Sequence, residues 1–361
     1  MIGSIPSMPL RPSRRQFVSS ALATAAVAAV TVVPRHLRAD QPADRGIVLG
    51  EGAHRYECIH DWGRLPENIR YGLTHGVAVD RAQNVYVLHT SRKDSPCKDT
   101  VVVFDRDGKF VRSWGEQFFG TAHGFDLIVE DGREIFYITD MARGLFKTTL
   151  DGQVIWHLDR PPFYDGRKDL KYTPTNVAIA PSGDVYFADG YGSWYIHHLD
   201  KNGNYKKTFG GPGDDEKKAT IHPHGLYVDA RGTEPLVVVA ENDPKGQKPG
   251  RLHAFNLDCA HHSVLATKVR SPRHFDRKDE LVVIPDLDAV VTLIDEENKI
   301  VAQLGDGFTT FAEVRALRTK ARDQFKPGKF ICPHDAAFAA DGSIFISEWV
   351  EVGRVTKLRK V

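Results

Sequence analysis

Apolar and polar residues alternate in short runs along most of the chain, and the runs are separated by Asp-Gly, Asn-Gly and Ser-Gly pairs. Alternation with a period of two marks strands with one buried face, and glycine in such pairs supplies the positive φ that tight hairpins require. The stretch after Pro174 is the clearest case, reading "NVAIA", "DVYFADG", "SWYIHHLD" and "YKKTFGG", with "APSGD" and "DKNGN" at the turns. Four short strands in succession form one antiparallel sheet.

The same phrase recurs. Units open with "THGVAVD" at Thr74, "AHGFDLIVEDG" at Ala122, "PTNVAIAPSGD" at Pro174, "PHGLYVDARG" at Pro223, "PRHFDRKDELVVIPD" at Pro272 and "PHDAAFAADGS" at Pro333. Their equivalent positions are His75, His123, Thr175, His224, Arg273 and His334, at steps of 48, 52, 49, 49 and 61 residues. A four-stranded unit at a period near fifty is a propeller blade, so six units predict an all-β, six-bladed β-propeller. The sixth unit has too few strands, while "RYECIHDWG" ahead of the first unit is a strand without partners. That strand is expected to complete the last blade and close the ring, which removes the exposed edges an open array would leave.

One insertion departs from this pattern. Within 306–331, Thr310 is a candidate cap with Glu313 three residues on, and Phe311, Val314 and Leu317 recur at helical spacing. A short helix over one mouth of the propeller is expected.

Composition narrows the function. The 361 residues are 41% hydrophobic and 26% charged, with a formal net charge of +1, which gives no basic footprint for nucleic acid. Residues 1–39 read as an export signal: paired Arg14 and Arg15, an alanine and valine run, and Ala39 near a cut. The pair resembles the twin-arginine signal, which carries folded proteins across a bacterial inner membrane. The apolar run from Ala21 to Val33 is short for a membrane span. The expectation is therefore a mature propeller over residues 40–361, periplasmic or extracellular, with no membrane attachment. Cys58, Cys97, Cys259 and Cys332 show no CxxC spacing, and their pairing is left open between disulfides and buried thiols.

The slot before each innermost strand faces the channel mouth, and histidine fills it in units one, two, four and six. His123, His224 and His334 come from alternate blades, so symmetry sets them about 120° apart. Three neutral imidazoles at about 2.0–2.1 Å make an open zinc site with a fourth position for water or substrate. The alternative is that His-Gly is a turn pair packed in the channel, and His75, outside the threefold set, favours it.

The phrases "TAHGFDLIVEDGREIFYITD", "TPTNVAIAPSGDVYFADGY", "IHPHGLYVD" and "FICPHDAAFAADGSIFISEW" resemble NHL repeats, and specifically the peptidyl-α-hydroxyglycine α-amidating lyases, from about Tyr56 to Val361. The resemblance implies zinc on His123, His224 and His334, and calcium on Asp335 with the carbonyls of Val77 and Phe125. It also implies Tyr191, in "ADGYGSWY", as the base that takes a proton from a substrate hydroxyl. Two pocket arginines of that family are replaced by Thr90 and Asn242, with Arg92 and Lys245 nearby, and the disulfide beside the tyrosine is missing because Gly192 follows it.

No GxxxxGK[ST], strand-linked GxGxxG or GxSxG motif occurs, which leaves nucleotide binding and serine hydrolysis unsupported. His197-His198 and His261-His262 read as surface pairs. Two functions follow: a metal-dependent lyase-like enzyme acting on a small or peptide-like substrate, or a non-catalytic propeller that binds a peptide, glycan or protein on its rim.

Overall fold

A computed structural model describes residues 46–244, 248–266, 268–307 and 311–361. The expected export signal, Lys245 and the Thr310 cap lie outside the described residues. The first blade comprises Thr74–Val79, Val85–His89, Val101–Phe104 and Phe110–Trp114, each strand antiparallel to the next. Four more blades repeat this meander, their innermost strands being Ala122–Glu130, Val177–Ile179, Pro223–Asp229 and Asp276–Lys278. The sixth has Pro333–Phe338, Ile344–Glu348 and Arg354–Lys360 from one end of the chain and Tyr56–Ile59 from the other. Tyr56 pairs with Lys360 and Ile59 with Lys357, as expected for a closed ring, and Val48–Leu49 adds a fifth strand outside.

The core lies between blades. Tyr86, Leu88, Phe125 and Phe136 fill the first joint, and Val87, Phe104, Ala337 and Phe345 fill the joint between blades six and one. Each blade is apolar on both faces, so a strand such as Val101–Phe104 is wholly buried while the outer Phe110–Trp114 is not.

Every histidine-bearing inner strand is kinked at its histidine. Pairing slips between Thr74 and Gly76, Ala122 and Phe125, Pro223 and Leu226, and Pro333 and Asp335. A bulge of this kind re-aims one side chain, here toward the channel. The glycine that follows has a separate cause. A Cβ on Gly124 would lie 2.5 Å from the Thr175 carbonyl oxygen, and one on Gly225 would lie 2.3 Å from that of Arg273.

The insertion forms the helix Phe311–Leu317, whose Val314 is buried against Leu287, Ala289, Ile331 and Val350. Arg318 stacks on Trp349 beside it, 3.2 Å from the ring centroid. Among the described residues no helix is long and apolar enough to cross a membrane. All four cysteines are free thiols. His197 and His198 are buried rather than on the surface: a short helical turn, Pro162–Tyr164, brings the Tyr164 hydroxyl within 3.1 Å of His197 Nε2.

Candidate metal centre

The rings of His123, His224 and His334 form a near-equilateral triangle, with centroids 4.9–5.0 Å apart. Each Nδ1 meets a backbone carbonyl of the next blade: Thr175 at 2.7 Å, Arg273 at 2.8 Å and His75 at 2.8 Å. A carbonyl only accepts, so each Nδ1 carries the proton and each Nε2 presents a lone pair. The same two carbonyls would clash with a Cβ at Gly124 and Gly225. Glycine therefore permits the close blade contact that orients the imidazole.

Burial holds these rings neutral. It depresses His123 to about 4, helped by the charge of Arg273, and pushes His224 and His334 well below the usual histidine value. The Tyr191 hydroxyl sits 3.1 Å from His123 Nε2 and 2.9 Å from His224 Nε2, while His334 Nε2 has no partner. One O–H proton is thus shared by two lone pairs, and the third has no donor. A divalent cation would satisfy that shortage of donors, so the buried histidine cluster fits a metal ion with an open position.

His75 belongs to the same cluster, against the expectation that it stands apart. Its ring lies 4.8 Å from His123 and 4.9 Å from His334, and ligand nitrogens of these three approach within 4.8 Å of one another. Neither of its nitrogens has a hydrogen-bond partner, so no carbonyl fixes its tautomer.

A cavity of about 860 Å³ reaches down to His75, His123, His334 and Tyr191. Trp349 and Arg315 line one side and Asn242 and Arg273 another. Tyr191 is 37% exposed. Burial of the phenol raises its pKa, and Arg273, Arg318 and Arg315 oppose the rise.

No protein-family model matches the chain. It is 25% identical over 321 residues to peptidyl-α-hydroxyglycine α-amidating lyase 1 of Drosophila melanogaster, covering 78% of this chain and 56% of the fly protein. A probable lyase of the same name from Caenorhabditis elegans is 22% identical, covering 72% of this chain and 70% of the worm protein. The mouse NHL repeat-containing protein 3 is 29% identical over 54% of this chain and 55% of its own length. The chain is a six-bladed propeller that resembles the amidating lyases and an NHL repeat-containing protein in sequence. A gluconolactonase from Xanthomonas campestris superposes with a TM-score of 0.57 at 12% identity, over 88% of this chain and 96% of its own, a likeness of fold.

The residues that the lyase resemblance implies do not all fare alike. His123, His224, His334 and Tyr191 converge. In the calcium set, the one carboxylate, Asp335, is engaged by an imidazole. His274 lies against Asp335 on one side and 3.2 Å from Asp126 Oδ1 on the other. The N–H groups of Val77 and Ala336 donate to Asp335 at 2.9 and 2.7 Å, and Phe125 stacks on Phe136. Although burial disfavours its charge, the two carboxylates hold His274 well above the usual histidine value.

At the positions of the pocket arginines, Thr90 Oγ1 accepts the Leu73 N–H at 3.1 Å and Asn242 Oδ1 accepts from His222 and Arg273 at 3.0 and 2.9 Å. Arg92 is paired with Asp94 and does not line the cavity. Arg273 does line it, beside Arg270 and Arg315, and sequence reasoning noted Arg273 only as the residue standing in a histidine slot.

Proposed function

We propose that this propeller is a metal-dependent enzyme of the lyase type, holding zinc on His123, His224 and His334 and acting on a small hydroxylated substrate in the cavity. The observation that carries the reading is the triangle of buried imidazoles from alternate blades, two of whose Nε2 atoms meet the Tyr191 hydroxyl while the third, on His334, has no partner. When bound, zinc would supply Lewis acidity that polarises the substrate hydroxyl. Tyr191 would take the hydroxyl proton once a bound metal, together with Arg273, offsets the burial that raises its pKa. The oxygen's electrons then form a carbonyl as the adjacent carbon–nitrogen bond breaks, and Tyr191 returns the proton to the departing nitrogen. The depressed basicity of the three histidines keeps them from taking that proton instead. With the leader expected at residues 1–39, this chemistry would take place outside the cytoplasm.

Elemental analysis of the purified chain tests the reading, with about one zinc expected per chain and none in a His123→Ala/His224→Ala variant. An N-acyl-α-hydroxyglycine should be cleaved, and Tyr191→Phe should lower kcat by about 10²–10⁴ with metal content unchanged. Absence of metal after reconstitution would leave a binding propeller whose partner occupies the rim.

A further inference from the structure

Arg273 is a buried arginine without a counter-ion. It is 3% exposed yet lines the cavity that holds Tyr191 and the histidines. Its Nη1 donates to Asn242 Oδ1 at 2.9 Å and its Nη2 to Ser271 Oγ at 3.0 Å, while Nε has no partner. A guanidinium carries five N–H donors, so most of the fork is unused. Among the described residues no carboxylate forms an ion pair with it. Asp286 lies within electrostatic range, but its oxygens accept the N–H groups of Arg270, Ser271 and Asp288.

A desolvated charge in this state is costly unless something opposite pairs with it. The histidines of the cavity are neutral, Asp288 on the cavity wall is within electrostatic range but makes no ion pair with Arg273, and a dication on the Nε2 atoms would add positive charge to the same wall. A planar fork beside Asn242 suits a two-oxygen anion.

We propose that Arg273 is the anion-recognising residue of the cavity and that the substrate presents a carboxylate to it from the side of blade five. The inference deepens the proposed function and rests on the cavity being its substrate site. It also accounts for the loss of cations at Thr90 and Asn242: Asn242 now holds the guanidinium in place, its oxygen shared between Arg273 and His222. The recognising charge has moved to a neighbouring blade.

Calorimetry with hippurate and with its neutral amide, hippuramide, tests this on the protein as purified, with metal measured in the same samples. Hippurate should bind at least about tenfold more tightly than the amide, since a hydrogen bond between charged groups is worth about 1.5–3 kcal/mol. Arg273→Met should erase the difference while leaving metal content and amide binding unchanged, which a merely structural arginine would not do. If that variant does not fold, Arg273→Lys should lower the preference several-fold, because an ammonium lacks the fork. Equal binding of the two probes by the wild type, or an undiminished preference in either variant, would overturn the proposal. A carboxylate preference in protein that takes up no zinc would retain this inference and reject the lyase reading; zinc without the preference would do the reverse.

Discussion

His75 and His224 would compete for the third place at a metal bound by His123 and His334, and their surroundings separate them. His224 has its Nδ1 fixed by the Arg273 carbonyl at 2.8 Å, whereas His75 has neither nitrogen held. An oriented imidazole loses less freedom on binding and is more basic, an effect worth about 10–100-fold in metal affinity. His224→Ala should therefore abolish zinc binding and His75→Ala should weaken it by less than about tenfold, as a chelator competition would read. The reverse order would move the site toward His75. His274 sets a second expectation at this scale. With its imidazolium between Asp126 and Asp335, millimolar calcium should leave the melting temperature unchanged, whereas a His274→Ala variant vacates the place and should gain stability on calcium addition.

At the scale of the strand, the bulge and the glycine after it govern the site. Gly225→Ala would place a methyl 2.3 Å from the Arg273 carbonyl oxygen and push away the group that orients His224. Metal affinity should fall about tenfold or more with every ligand still present, visible in the same chelator titration. Strands and turns were legible in the sequence because alternation and Asn-Gly pairs are local signals. The convergence of His123, His224 and His334 was legible because their slot repeats. What stayed hidden depends on which blades meet: His75 reads as an outlier until the channel brings it to the others, and Arg273 reads as a broken repeat. His197 and His198 read as exposed because their partners, Tyr164 and Thr208 for the first and Asp184 for the second, are brought to them by neighbouring segments of the fold.

For the whole molecule, buried histidines dominate the response to acid. His60, His89, His197 and His222 are lowered to about 2, 3, 3 and 4, burial being the main cause, and His123 to about 4. Unfolded histidine titrates near 6.5, so each contribution is full above that value and declines as pH falls toward the folded pKa, by about 1.4 kcal/mol per pH unit. Asp189, Asp276 and Asp288 act oppositely: burial raises each to about 6, and the folded chain takes up their protons first. The histidines outnumber them, so the melting temperature of metal-free protein should fall steadily from about pH 6.5 to about pH 4.5. A flat profile would contradict the burial of these rings.

Closure of the ring has a kinetic side. The closing strands join Tyr56 to Lys360, 304 residues apart. Bringing such distant segments together costs entropy that no local contact repays beforehand, and non-local pairing slows folding. Each blade can form from its own hairpins, but the sixth waits for both ends of the fold. Refolding should therefore show a late phase in which the joint around Cys58 and Phe330 becomes protected from hydrogen exchange after the middle blades. The seam made last is also the place where a thermally stressed ring would first part.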